Sequence, residues 1–258
     1  MRRVENMTLR RGLERVVVSL GALCALSCSE GKGSAKNTAG PAPISTSRTN
    51  EEATASATTA SAEPAVNEPK SAPAELPADL RLHVPADVPF EGDRDLRVAH
   101  ADGHHRHAPV YLHGMCGDSK GADPWTDLAT ARGTLVVVRA DVPCGDRPGY
   151  KWPAEPEAIA ARIVRALEQV KSSRNGLLDV DRVTLIGYSQ GAHRAELLAA
   201  RYPDKYKQLV LGGPPTSALP ENLRAATRVA VLGGELEDAS HMKKGASDLA
   251  AAGITSRF

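Results

Sequence analysis

The sequence predicts an α/β fold: a mostly parallel sheet flanked by helices, its C-terminal strand and helix incomplete. Three observations carry this prediction. Short apolar runs rich in Val and Leu recur at Pro109–Leu112, Thr134–Val138, Val183–Ile186, Gln208–Leu211 and Arg228–Leu232. They read as strands buried on both faces. Amphipathic stretches lie between them, and strands alternating with helices argue for parallel pairing through right-handed crossovers. The third observation is extent: residues 76–258 form a segment long enough to bury a real core.

The helices follow from period and punctuation. In Glu157–Val170, the residues Ile159, Ile163, Leu167 and Val170 fall on one face, with Pro156 in the opening turn. Gln190–Arg201 is a second helix, closed by Tyr202-Pro203. Met242–Ala252 is a third, ended by Gly253. A further strand is expected to begin near Ile254–Phe258, where the sequence stops. No internal repeat is visible.

Residues 1–75 have a different character. Arg2, Arg3, Arg10, Arg11 and Arg15 precede a short apolar run, Val16–Leu26, as in an export signal over residues 1–28. Met7 is an alternative start, because the stretch after it keeps these features. Cys28 follows Ala25-Leu26-Ser27 and resembles the lipobox of bacterial lipoproteins, although that pattern prefers Leu where Ala25 stands. The resemblance implies lipidation at Cys28 and anchoring to the cell envelope. The alternative is an ordinary cleaved signal and a periplasmic or secreted chain. Residues 29–75 are mostly Ala, Ser, Thr, Pro, Gly and Glu, with Ile44 and Val66 the only large aliphatics and no aromatic residue. Such a segment cannot bury enough apolar surface to offset its ordering entropy, so it is expected to be a disordered linker.

Composition narrows the function classes. The formal net charge is +1, with 32 Lys and Arg against 31 Asp and Glu, and aromatic residues make up 3%. Neither a basic face for phosphates nor a stacking platform is expected, so nucleic acid is not an expected partner. No apolar run reaches the roughly 18 residues of a membrane-spanning helix.

The strongest chemical signal is Gly187-Tyr188-Ser189-Gln190-Gly191. It follows the run Val183–Ile186 and opens a helix, the strand–turn–helix context that G-x-S-x-G requires. Such a turn lifts a serine hydroxyl above a helix N-terminus, whose dipole favours developing negative charge. The second signal is His113-Gly114-Met115-Cys116-Gly117, directly after Val110-Tyr111-Leu112.

On these two motifs and their order, the stretch from about Val110 to Phe258 resembles the α/β-hydrolase superfamily, in its small-esterase and dienelactone-hydrolase-like branch. The resemblance implies a serine hydrolase acting on a small ester or related acyl substrate without metal or organic cofactor. Ser189 would be the nucleophile. The backbone N–H groups of Met115 and Gln190 would form the oxyanion hole, and His113 would hold the loop. The acid would follow the strand Arg228–Leu232, where Glu237 or Asp238 is expected and Glu235 is a weaker choice.

The family's catalytic histidine follows one more helix and strand, a position beyond Phe258. The abrupt end reads as a truncation. His241, a few residues after the acids, is the substitute base. His193, one helical turn beyond Ser189, is expected to pack or face solvent. A fold-keeping binding protein without the base is the alternative function. Cys116 and Cys144 lie in loops after neighbouring strands, and a disulfide between them is expected in an exported chain. Free thiols or a metal site are the alternatives, the latter lacking any C-x-x-C spacing. His100, His104, His105 and His107 suggest a metal cluster, but Asp102-Gly103 favours an exposed hairpin tip. Lys151-Trp152-Pro153 is either a cleft wall or a surface loop with one buried Trp.

Overall fold

The computed structural model describes residues 74–258. The arginine-rich start, Val16–Leu26, Cys28 and the linker as far as residue 73 lie outside the described residues.

In chain order the elements are β1 (Ala86–Val88), β2 (Leu96–Ala99), β3 (Ala108–Leu112), α1 (Thr126–Thr130), β4 (Leu135–Val138), β5 (Val142–Pro143), β6 (Tyr150–Lys151), α2 (Pro156–Ser173), β7 (Val183–Tyr188), α3 (Gln190–Arg201), β8 (Gln208–Gly212), β9 (Arg228–Leu232), α4 (Ser240–Ala251) and β10 (Ser256–Arg257). The main sheet has the order β1-β2-β4-β3-β7-β8-β9-β10. From β4 to β10 every pairing is parallel, whereas β1–β2 and β2–β4 are antiparallel. The five apolar runs are thus strands in a mostly parallel sheet with helices on its faces, as predicted. The antiparallel edge was not.

Side-chain alternation sorts the strands' residues onto two faces. One face carries Val110, Leu112, Leu185, Leu209, Leu211, Val229 and Val231 into a core shared with α2, α3 and α4. The predicted stripe of α2, from Ile159 to Val170, is buried there. The other face carries Tyr111, Val137 and Ile186 against Ala122 and Ala129, from a 3-10 turn and α1. Among the described residues no helix is long and apolar enough to cross a membrane.

The hairpin expected around Asp102-Gly103 is not formed. The turn exists, with His105 N–H donating to Asp102 O. The strands it joins, β2 and β3, are separated by β4. The turn itself is exposed at His104, but the outer histidines of the cluster are not. His100 is buried beside Arg174, and burial pulls its pKa down to about 4. His107 Nε2 is hydrogen-bonded to the Thr184 hydroxyl at 2.7 Å. No group of residues suited to hold a metal ion occurs among the described residues.

Candidate active site

Ser189 sits between the end of β7 and the first residue of α3, with φ +51° and ψ −117°. A non-glycine residue in this region is strained, and tight surroundings must hold it there. Ser189 N–H donates to Gly212 O at 2.8 Å, and Ser189 O accepts from Ala192 N–H at 3.0 Å. The flanking glycines are required by contact. A Cβ on Gly187 would lie 2.5 Å from Ala192 N, and one on Gly191 would overlap the Leu112 carbonyl and lie 2.7 Å from His113 O. The backbone of α3 therefore lies directly against the ends of β7 and β3.

The His113–Gly117 segment lies against this turn. A Cβ on Gly114 would be 3.3 Å from Ser189 Cβ. Gly117 N–H donates to Gly114 O at 3.0 Å, closing a turn around Met115 and Cys116, and Cys116 has φ +56°. Met115 is exposed, whereas His113 is buried. His113 Nε2 accepts from Ala140 N–H at 3.0 Å, so the ring proton resides on Nδ1, which donates to Gly114 O at 2.7 Å. Both ring nitrogens are occupied by backbone, and burial lowers the imidazole's pKa. This ring is a neutral brace.

Trp152 tightens the same corner. Its indole Nε1–H donates to His113 O at 2.7 Å, and its backbone N–H donates to Gln190 Oε1 at 3.1 Å. Trp152 is buried, so the Lys151–Pro153 stretch is a surface loop with a core anchor. Cys116 and Cys144 are joined in a disulfide, Cα to Cα 5.8 Å, which ties the turn to the small β5–β6 hairpin. A Cβ on Gly149 would overlap Cys116 O, so the hairpin also presses on the turn directly.

Comparison with known proteins places this geometry. A sequence model of the alpha/beta hydrolase fold matches residues 110–231, from β3 through the serine turn to β9. Over this stretch the chain has the α/β-hydrolase fold. It is similar to 2-hydroxy-6-oxononadienedioate/2-hydroxy-6-oxononatrienedioate hydrolase 2 of Pseudomonas putida, at 31% identity over 130 residues. That match covers 49% of this chain and 43% of the Pseudomonas enzyme, so the chain spans less than half of that relative's length. A solved fungal esterase from Rhizomucor miehei superposes with a TM-score of 0.50 at 18% identity, over 67% of this chain and 72% of that one. At that identity the likeness is one of fold.

Within this α/β-hydrolase fold the two acid candidates separate. Glu237 leans over the serine turn: its Oε1 lies 3.5 Å from the Tyr188 hydroxyl, and its Oε2 accepts from Gly234 N–H at 2.9 Å. A Cβ on Gly213 would lie 3.4 Å from the same carboxylate. Asp238 instead accepts from Ser240 N–H at 3.0 Å at the start of α4. That hydrogen bond holds its carboxyl below the usual carboxylate range. Glu235 is exposed and carries no side-chain hydrogen bond among the described residues.

The histidines fall elsewhere. His241, at the second residue of α4, has Nε2 2.8 Å from Pro214 O, so Nε2 carries the proton and donates. His193 sits in α3, half-buried, its backbone N–H donating to Ser189 O. None of the chain's eight histidines, all of them described, makes a hydrogen bond to the Ser189 hydroxyl. The structure thus gathers Ser189, Gln190, Met115 and Glu237 at one edge of the sheet. It leaves Asp238 on the helix cap and His241 on Pro214 O.

Sequence reasoning missed Tyr188 and, although it expected a buried Trp152, the bracing contacts that residue makes. Tyr188 meets Glu237, and the signal was its place in the motif beside the nucleophile. Trp152 braces both His113 and Gln190, and the signal was a lone Trp just after the Cys144 loop in a chain with two Trp residues.

Proposed function

We propose that this chain is a serine hydrolase cleaving small esters or related acyl compounds. The observation that carries the proposal is Ser189, held at φ +51° between Gly187 and Gly191 on a strand–helix turn. A strained residue fixed by its surroundings at a sheet's C-terminal edge is where such folds place function. Ser189 Oγ attacks the acyl carbonyl carbon and gives its proton to a base. The tetrahedral oxyanion is held by the backbone N–H groups of Met115 and Gln190, the latter at the first position of a helix. The bond to the leaving alcohol breaks, the alcohol takes the proton, and water then releases the acid by the same steps.

Glu237 is the carboxylate we assign to orient the base, because Asp238 is committed to capping α4. His241 is the base this chain offers. To serve, its Nε2 must exchange Pro214 O for the serine hydroxyl, while Nδ1 takes the carboxylate. That engagement of His241 favours a second reading, a binding protein that keeps the fold and the serine turn without turnover. Fold alone does not choose between them.

The same proposal places the chain outside the cytoplasm, anchored through a lipidated Cys28 or freely exported. The Cys116–Cys144 disulfide supports an oxidising compartment. Metabolic labelling with a palmitate analogue, with Cys28→Ser as control, tests the anchor. For the chemistry, hydrolysis of p-nitrophenyl esters of increasing acyl length is measured for the full chain and for Ser189→Ala and His241→Ala. Turnover that both substitutions abolish, fastest on short acyl groups, supports the hydrolase. No ester turnover above that of Ser189→Ala would leave the binding protein.

A further inference from the structure

The two oxyanion donors assigned above lie on different elements, Met115 in the turn after β3 and Gln190 at the start of α3. The β5–β6 segment touches both. On one side Trp152 N–H donates to Gln190 Oε1, and the Trp152 indole donates to His113 O. On the other side Tyr150 bridges to Gly117, and Cys144 is bonded to Cys116. A hairpin with two residues in each strand cannot hold its own shape in water, so these ties fix where it sits. The turn that it clamps is strained. Gly117 N–H donates to Gly114 O, which makes Cys116 the third residue of the turn, and Cys116 has φ +56°. A positive φ at that position favours glycine or asparagine, so a cysteine must be held there. The bridge to Cys144 is a covalent tie on that very residue.

We propose that the Cys116–Cys144 bridge is a redox switch on the serine site. Oxidised, it holds the turn that aims the Met115 N–H; reduced, it frees that turn and hydrolysis slows. The inference rests on the serine-hydrolase reading and adds a means of regulation to it. The reductant is a dithiol. Its thiolate attacks one sulfur of the bridge, and the other sulfur leaves as a thiolate and takes a proton. The second thiol of the reductant then attacks the mixed disulfide, frees the second cysteine and leaves as a disulfide. Two electrons and two protons pass from dithiol to bridge, and an oxidised dithiol reverses the exchange. Both cysteines are half-buried, outside the sealed core. The release is local, because the Trp152 hydrogen bonds to His113 O and Gln190 Oε1 involve neither sulfur. Cys116, no longer tied, relaxes out of the positive-φ region, and the Met115 N–H loses its fixed direction.

The test is p-nitrophenyl ester turnover of the full chain in oxidised and in reduced dithiothreitol, below the melting temperature of the reduced chain. Reduction lowers kcat by about tenfold or more, within what the loss of one oxyanion donor costs, and re-oxidation restores it. Hydrogen exchange of the Met115–Gly117 amides speeds up on reduction, while that of β3 and β7 does not. Two bridge-free chains separate the turn from overall stability. Cys116→Ala with Cys144→Ser stays slow and ignores dithiothreitol, which also controls for Cys24 and Cys28. Cys116→Gly with Cys144→Ser recovers most of the oxidised rate, because glycine takes the positive φ unaided. Ser189-dependent turnover that reduction leaves unchanged overturns the inference alone. An oxidised chain without Ser189-dependent turnover overturns it together with the serine-hydrolase reading. A glycine variant no faster than the alanine one, or a reduced chain that unfolds as a whole, also overturns it, since the bridge then serves stability only.

Discussion

Gly191→Ala separates two opposed expectations. Gly191 is the second residue of α3, and by helix propensity alone alanine there would stabilise by up to about 1 kcal/mol. The packing gives the opposite sign. The added Cβ would overlap the Leu112 carbonyl and lie 2.7 Å from His113 O, and both obstacles are backbone. Relief requires moving α3 away from the end of β3, where Leu112 and Gly187 are register partners. Overpacking of this kind costs about 1–3 kcal/mol, toward the top of the range where no side chain can yield. The net loss is then about 2 kcal/mol, which lowers Tm by about 4–8 °C in a domain of this size. Gly103→Ala is the control, because its Cβ meets only Leu76 carbons at 3.7 Å. The assay is thermal unfolding followed by circular dichroism. A Gly191→Ala protein that melts at or above the wild-type temperature would refute the close approach of α3 to β3.

Other predictions follow from the same contacts. His100 is neutral in the folded state, with a pKa near 4 against 6.5 unfolded, so its contribution is full above pH 6.5 and is lost as pH falls toward 4. It amounts to about 2 kcal/mol lost at pH 5, read as a falling urea midpoint that is blunted in His100→Gln. Breaking the disulfide by Cys144→Ser releases a loop of 28 residues' separation. The denatured chain then gains entropy worth about 3–4 kcal/mol, measured as a reduced stability in denaturant titration. Trp152→Phe leaves the buried His113 carbonyl without its indole donor and lowers stability by about 1–3 kcal/mol. Glu237→Gln lowers Ser189-dependent ester turnover by about a hundredfold or more, whereas Asp238→Asn leaves turnover within a few-fold and weakens only the start of α4.

The centre of the fold was legible because its strands are continuous apolar runs with glycines and prolines at their ends. The edge was not. Ala86–Val88 is three residues with a central Asp, and Leu96–Ala99 contains Arg97, whose guanidinium is spent on Asp123 and Asp87. The hairpin expected at Asp102-Gly103 failed because β4, which separates β2 from β3, comes from more than thirty residues along the chain. Turn chemistry is local and strand order is not. Arg174, just past the end of α2, is fully buried and donates to the carbonyls of Ala101, Asp102 and Leu177, partners that no side-chain pattern announces. In the site, the serine turn and the His113 loop were visible because glycines mark close backbone approach. The choice between Glu237 and Asp238 was not visible, since adjacent acids in one loop differ only in whether a helix N-terminus takes the side chain. The commitment of His241 to Pro214 O was hidden for the same kind of reason: its partner is a backbone carbonyl that no side-chain pattern announces.

On the proposed function, the turn between β7 and α3 presents an activated serine. The most direct measurement is the intact mass of the folded chain after treatment with a fluorophosphonate, with Ser189→Ala in parallel. One adduct per chain is expected, absent in Ser189→Ala and slowed in His241→Ala. A folded chain that takes up no fluorophosphonate would contradict that function.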